Sequence, residues 1–191
     1  MEGNTRVGFW QSSWCHFDLS STKPHPRFLI IHVGANDIAK DDNQLRRQQM
    51  FMKNVINQLR SEMPLTCIVW SHILPRLYWR HAVSNVAADR SRWRINSSVA
   101  SFILKSGGAS LKYPDIRVAQ SNLFLNDGVH LSSLGNHVFV STLQAAIQHF
   151  STCGISLLYP PKWLFVSFLL NWNCCGFMNM VNMYDCFVND V

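Results

Sequence analysis

Two short polar stretches, far apart in the chain, hold the residue types that acyl chemistry needs. Gly34-Ala35-Asn36-Asp37 closes an apolar run from Phe28 to Val33, and Asp127-Gly128-Val129-His130 precedes Leu134-Gly135 and a helical pattern. A neutral imidazole is the side chain best matched to proton transfer near pH 7, which makes His130 a candidate general base. Asp127 lies three residues earlier, so one loop can bring its carboxylate to the imidazole and orient it. Asn36 can offer an amide N–H to a developing oxyanion without adding charge. Each stretch also has a plain structural reading. Asn-Asp and Asp-Gly pairs form turns whose side chains bond nearby backbone, and taken singly these residues are turns more often than sites.

The elements that must position them can be read from periodicity. Residues 28–33 form a continuous apolar, β-branched run, the pattern of a strand buried on both faces. Residues 65–73 repeat that pattern, and Ile116-Arg117-Val118-Ala119 predicts a short third strand. Asp41-Asp42-Asn43 can cap a helix. From Leu45 the apolar positions Met52, Val55, Ile56, Leu59 and Met63 recur at helical spacing until Pro64. A second helix is expected from about Ser84 to Lys105, with Val86, Trp93, Ala100 and Ile103 on its apolar stripe and Gly107-Gly108 stopping it. Residues 132–150 predict a third. Strand–helix alternation of this kind predicts a parallel sheet with helices on its faces. Ligands in such sheets lie beyond the carboxyl ends of the strands, where both motifs fall.

The two motifs together resemble blocks of the SGNH (GDSL-type) hydrolases. Gly34, Asn36 and Asp37 match the Gly-x-Asn-Asp block, and Asp127 and His130 match the Asp-x-x-His block. The resemblance covers residues 27–150. It implies a flavodoxin-like three-layer α/β/α sandwich with a parallel sheet. It also implies ester hydrolysis with His130 and Asp127 as catalytic residues, Asn36 in the oxyanion hole, Gly34 and Asp37 as supporting motif residues, and neither metal nor cofactor. The expected ligand is a small acyl ester.

The family's nucleophile block, Gly-Asp-Ser, has no counterpart in the sequence. Ser12, Ser13, Ser20 and Ser21 precede Gly34, but in aromatic or Pro-rich surroundings and without the strand–turn context a nucleophile needs. Gly8 is a weak match for the oxyanion glycine of the second block. The nucleophile is therefore unassigned, and the expectation is an N-terminally truncated domain, inactive by itself, whose strand at 28–33 presents an open side. A non-catalytic binding module and an esterase with an unusual serine are the competing expectations.

Composition bounds the rest. The chain has 191 residues, 48% hydrophobic and 15% charged, which excludes a disordered protein. Residues 1–150 hold 16 basic and 9 acidic side chains, a modest excess that reads as a solvated surface rather than a nucleic-acid footprint. Six cysteines without paired Cys-x-x-Cys spacing argue for free thiols rather than zinc or a disulfide framework. The N-terminus shows no signal-peptide pattern, so an intracellular, cytoplasmic location is expected. Three segments are expected: irregular residues 1–26, the hydrolase-like domain at 27–150, and an apolar, Cys- and Met-rich tail at 151–191. The tail's run from Trp163 to Leu170 is too short to span a membrane, which takes about 20 residues, so membrane contact through it would be weak. Oligomeric state is not legible.

Overall fold

The computed structural model describes residues 25–38, 42–80, 82–152 and 158–160. Ser12, Ser13, Ser20, Ser21, Gly8, Asp41 and the apolar run at 163–170 lie outside these residues. Strand β1 (Phe28–Ile31) is followed by helix α1 (Asp42–Glu62), β2 (Cys67–Ser71), α2 (Asn85–Lys105), β3 (Ala109–Leu111), α3 (Ser133–Thr152) and β4 (Leu158–Tyr159). The sheet runs β1-β2-β3-β4 with every pairing parallel. This is the α/β architecture that the strand–helix alternation predicts.

Because successive strand residues face opposite sides, each strand feeds two cores. Ile31, Ile68 and Trp70 face one cluster with Leu45, Met52 and Ile56 of α1 and Ile95, Val99 and Ile103 of α2. Phe28, Ile30, Val69, Ala109 and Leu111 face the other, with Ala146 and Phe150 of α3. The sheet is thus sandwiched, with α1 and α2 on one side and α3 on the other. Among the described strands β1 pairs only with β2, so its other edge carries no strand there.

Two sequence expectations need correction. The third strand is Ala109–Leu111, and residues 116–119 lie in the connection that follows it. Ile116 is buried, but in a loop, whereas Val118 is exposed. The strand begins immediately after the glycines that end α2. A Cβ on Gly108 would stand 2.5 Å from the Ile68 carbonyl oxygen, so glycine is what lets the chain enter the sheet there.

The apolar stripe of α2 also differs. Val86 and Trp93 are exposed, and the buried face is Ala88, Arg92, Ile95, Asn96, Val99, Ala100 and Ile103. Two polar residues sit in that face because they hold backbone. Asn96 accepts from Ile73 N–H at 2.9 Å and donates to the Ile73 carbonyl at 3.0 Å, and Arg92 donates to the same carbonyl at 3.2 Å. Burying polar groups is tolerable when they satisfy each other in this way. The result is a fixed loop after β2, the loop that carries Arg76.

Ser84 caps α2 with its hydroxyl toward Ala87 N–H, as a serine at that position is suited to do. Beyond Thr152, β4 adds to the sheet through register Ser110–Leu158 and Leu111–Tyr159. No helix among the described residues is long and apolar enough to cross a membrane.

Candidate functional site

The Gly34–Asp37 stretch folds into a short 3-10 turn directly after β1. Gly34 has φ +96°, in the left-handed region that favours glycine, and a Cβ there would lie 2.3 Å from the Met52 terminal methyl. Its carbonyl accepts from the buried Gln48 amide of α1 at 3.1 Å. A core-facing glutamine thus clamps the turn to α1, and the glycine permits the approach. Asn36 is carried at the surface of that turn.

The second stretch forms a tight loop before α3. Gly128 has φ +65°. The loop is closed by Leu125 N–H to the His130 carbonyl at 2.8 Å and by Gly128 N–H to the Leu125 carbonyl at 2.9 Å. Ser132 caps α3, accepting from Gly135 N–H at 3.2 Å. Gly135 allows the first turn of α3 to press on residues 121–124, since a Cβ there would stand 2.1 Å from the Leu123 carbonyl oxygen.

Inside this loop Asp127 and His130 meet. One Asp127 oxygen accepts from Val129 and His130 backbone N–H groups at 2.9 and 3.0 Å, and the other meets His130 Nδ1 at 2.5 Å. The backbone bond from His130, the imidazole bond and the Val129 bond, in that order, hold the Asp127 carboxyl well below the usual carboxylate range. Asp127 is therefore an acceptor across the neutral range. A neutral His130 must then carry its proton on Nδ1, which leaves the Nε2 lone pair for a substrate proton. The ring is exposed, and Nε2 has no hydrogen-bond partner among the described residues.

Arg76, on the loop after β2, ties the two stretches together. It donates to Asn36 Oδ1 at 3.0 Å. Burial and the neighbouring Arg80 lower its pKa, and the charges of Asp127 and Asp37 oppose that. A guanidinium stays protonated in either case. Burial pushes the Asp37 carboxyl up, and Arg76 opposes that. The same loop donates Leu77 and Tyr78 N–H groups to the Gly128 carbonyl at 2.8 and 3.0 Å. Asn85 at the start of α2 fixes the loop's other end, accepting from Trp79 N–H at 3.0 Å and donating to the Leu77 carbonyl at 3.2 Å.

The turn after β1, the loop after β2 and the loop before α3 therefore share one edge, the carboxyl edge of the sheet. Because a guanidinium can only donate, the Asn36 atom facing Arg76 is the oxygen, and its NH2 group is directed elsewhere. That group has no partner among the described residues. The sequence motifs include Asn36, Asp37, Asp127 and His130 of this edge but not Arg76. Its sole sequence signal is a cation directly after Pro75 at a strand end, which is too common to single out.

No protein-family model matches the chain, and no curated protein matches it. A solved structure from Streptococcus pneumonia, provisionally described as a platelet activating factor, is similar with 19% sequence identity and a TM-score of 0.47. The match covers 62% of this chain and 58% of that one, so this chain spans less than two thirds of its length.

Proposed function

We propose that this chain is an SGNH-like domain whose carboxyl-edge site accepts a small acyl ester, and that the chain alone does not turn the ester over with a serine nucleophile. The observation that supports it is the joining of the Asp127–His130 loop to the Asn36 turn through the loop after β2, where Arg76 donates to Asn36 and the Leu77 and Tyr78 N–H groups donate to the Gly128 carbonyl. Asp127 orients His130, His130 presents Nε2 as a base, and Asn36 presents its NH2 group to the carbonyl oxygen. The sequence contains no Gly-Asp-Ser tripeptide, and among the described residues no serine hydroxyl bonds to His130. A triad acts as a unit, and loss of the nucleophile alone typically costs on the order of 10⁶ in rate. Purified protein is to be assayed with a chromogenic acetyl or butyryl ester, with and without a serine-reactive fluorophosphonate. No fluorophosphonate-sensitive turnover is expected. Sensitive turnover with the label on Ser12, Ser13, Ser20 or Ser21 would instead make this an active esterase with an unusual serine.

A further inference from the structure

A second histidine stands at the same sheet edge, outside both motifs. His32 follows β1 and is open to solvent along its outer edge, while its ring lies against Tyr113 and Phe139 at centroid distances of 6.3 and 5.2 Å. Its Nδ1 lies 2.9 Å from Ser71 Oγ, and Ser71 Oγ lies 2.6 Å from Tyr113 Oη. Ser71 closes β2 and Tyr113 follows β3 by two residues, so three adjacent strand ends supply one hydrogen-bonded row. Ser71 is fully buried and Tyr113 nearly so.

One direction of this row leaves no buried hydroxyl proton unpaired. Among the described residues the buried Tyr113 hydroxyl has one hydrogen-bond partner, Ser71 Oγ. An unpaired buried donor costs about 1–3 kcal/mol, so Tyr113 donates to Ser71. Ser71 then has its own proton to give, and the acceptor in reach is His32 Nδ1. An imidazole that accepts at Nδ1 carries its proton at Nε2 when neutral. Burial of the ring's inner side lowers the His32 pKa and outweighs the raising effect of the Ser71 backbone, which keeps the ring neutral at pH 7.

We propose that His32 is a ligand-binding residue of the carboxyl edge of the sheet, presenting a neutral Nε2–H donor to an acceptor oxygen of the bound ester, with Ser71 and Tyr113 as the positioning residues that fix its tautomer. This rests on reading that edge as the ligand site. The site would then hold two imidazoles of opposite polarity. His130 is wired through Asp127 to accept at Nε2, and His32 is wired through Ser71 to donate there. The hydroxyl row supplies a donor without a charge, which suits an uncharged carbonyl or ester oxygen.

The test is nitrogen-15 NMR of the histidine rings in the full chain at pH 7, followed by titration with ethyl butyrate. The expected result is the Nε2–H tautomer for His32 and the Nδ1–H tautomer for His130. Tyr113→Phe removes the terminal donor without removing the ring, and should introduce the Nδ1–H tautomer at His32 while leaving His130 unchanged. Ethyl butyrate should shift the His32 Nε2–H signal together with those of His130 and the Asn36 amide. A wild-type His32 in the Nδ1–H form, or one indifferent to Tyr113→Phe, would overturn the wiring. Shifts at His130 and Asn36 without one at His32 would overturn its ligand role and leave the site reading standing. No shift at any of the three would overturn both.

Discussion

Arg76 donates to the side-chain oxygen of Asn36 at 3.0 Å, across 40 positions of sequence, and the same guanidinium feels the charge of Asp127. One cation thus orients the amide of one motif and is attracted to the acid of the other. Replacing it with methionine keeps much of the apolar stem but leaves Asn36 free to flip and two carboxylates without their counter-charge. Arg76→Met is expected to lower the unfolding free energy by about 1–2 kcal/mol, the lower part of the range for charged hydrogen bonds because the pair is exposed. Urea denaturation measures this. The Asn36 side-chain amide should also lose its single fixed environment in the NMR spectrum, and Arg76→Lys should restore that only in part because lysine lacks the planar fork.

Gly34→Ala places a methyl group where the Met52 side chain ends, in a backbone conformation that L residues rarely adopt. The expected loss is about 1–3 kcal/mol, with Met52 and Gln48 displaced. Gly107 offers the control. It has φ +79°, but an added methyl would meet nothing within 4 Å, so Gly107→Ala should cost only the conformational term, about 1 kcal/mol. Equal losses at the two positions in matched denaturation curves would show that the crowding around Gly34 is not felt.

Gly135→Ala should be the most damaging of the three glycine changes. Its Cβ would collide with a backbone carbonyl, which cannot rotate away as a side chain can. The expected cost is about 2 kcal/mol or more, together with displacement of the Ser132 cap and the His130 loop. Thermal unfolding gives the stability, and the His130 ring resonances report the loop.

The two turns were legible because their contacts are local. Asp127 reaches His130 within four residues, and Gly34 is fixed by a turn that its own neighbours form. The layered fold was legible because buried strands such as Ile68-Val69-Trp70 and the stripe on α1 carry strong periods. What escaped was set by partners distant in sequence. Ala109–Leu111 is too short and too small to signal a strand, and only contact with β2 makes it one. Leu158–Tyr159 shows no period because two residues cannot. Arg92 and Asn96 read as the polar face of α2, yet they are buried because Ile73 leaves backbone groups that need them. Arg76 and the His32–Ser71–Tyr113 row exist only once three strand ends are placed side by side.

His72 predicts a pH dependence. Its ring is buried with Nε2 3.0 Å from Ser110 Oγ, and burial, Lys112 and Arg92 push its pKa down to about 3. The unfolded chain therefore binds a proton at this position between about pH 6.5 and 3 that the folded chain refuses. Stability contributed by the neutral ring is full above pH 6.5 and falls as the pH drops through that window, with a limiting slope of ~1.4 kcal/mol per pH unit. His72→Gln should flatten the slope between pH 6 and 4 in urea-denaturation midpoints. An unchanged slope would assign the acid sensitivity to other groups.

The proposed ester-accepting site joins Asn36, Asp127 and His130. The most direct measurement follows the Asn36 side-chain amide and the His130 ring by NMR while ethyl butyrate is added, in the wild type and in Asp127→Asn. Both signals in the wild type are expected to move along a single binding curve. In Asp127→Asn the His130 response should weaken as the ring loses its orienting carboxylate. Two unrelated curves, or a response at one residue with none at the other, would contradict it.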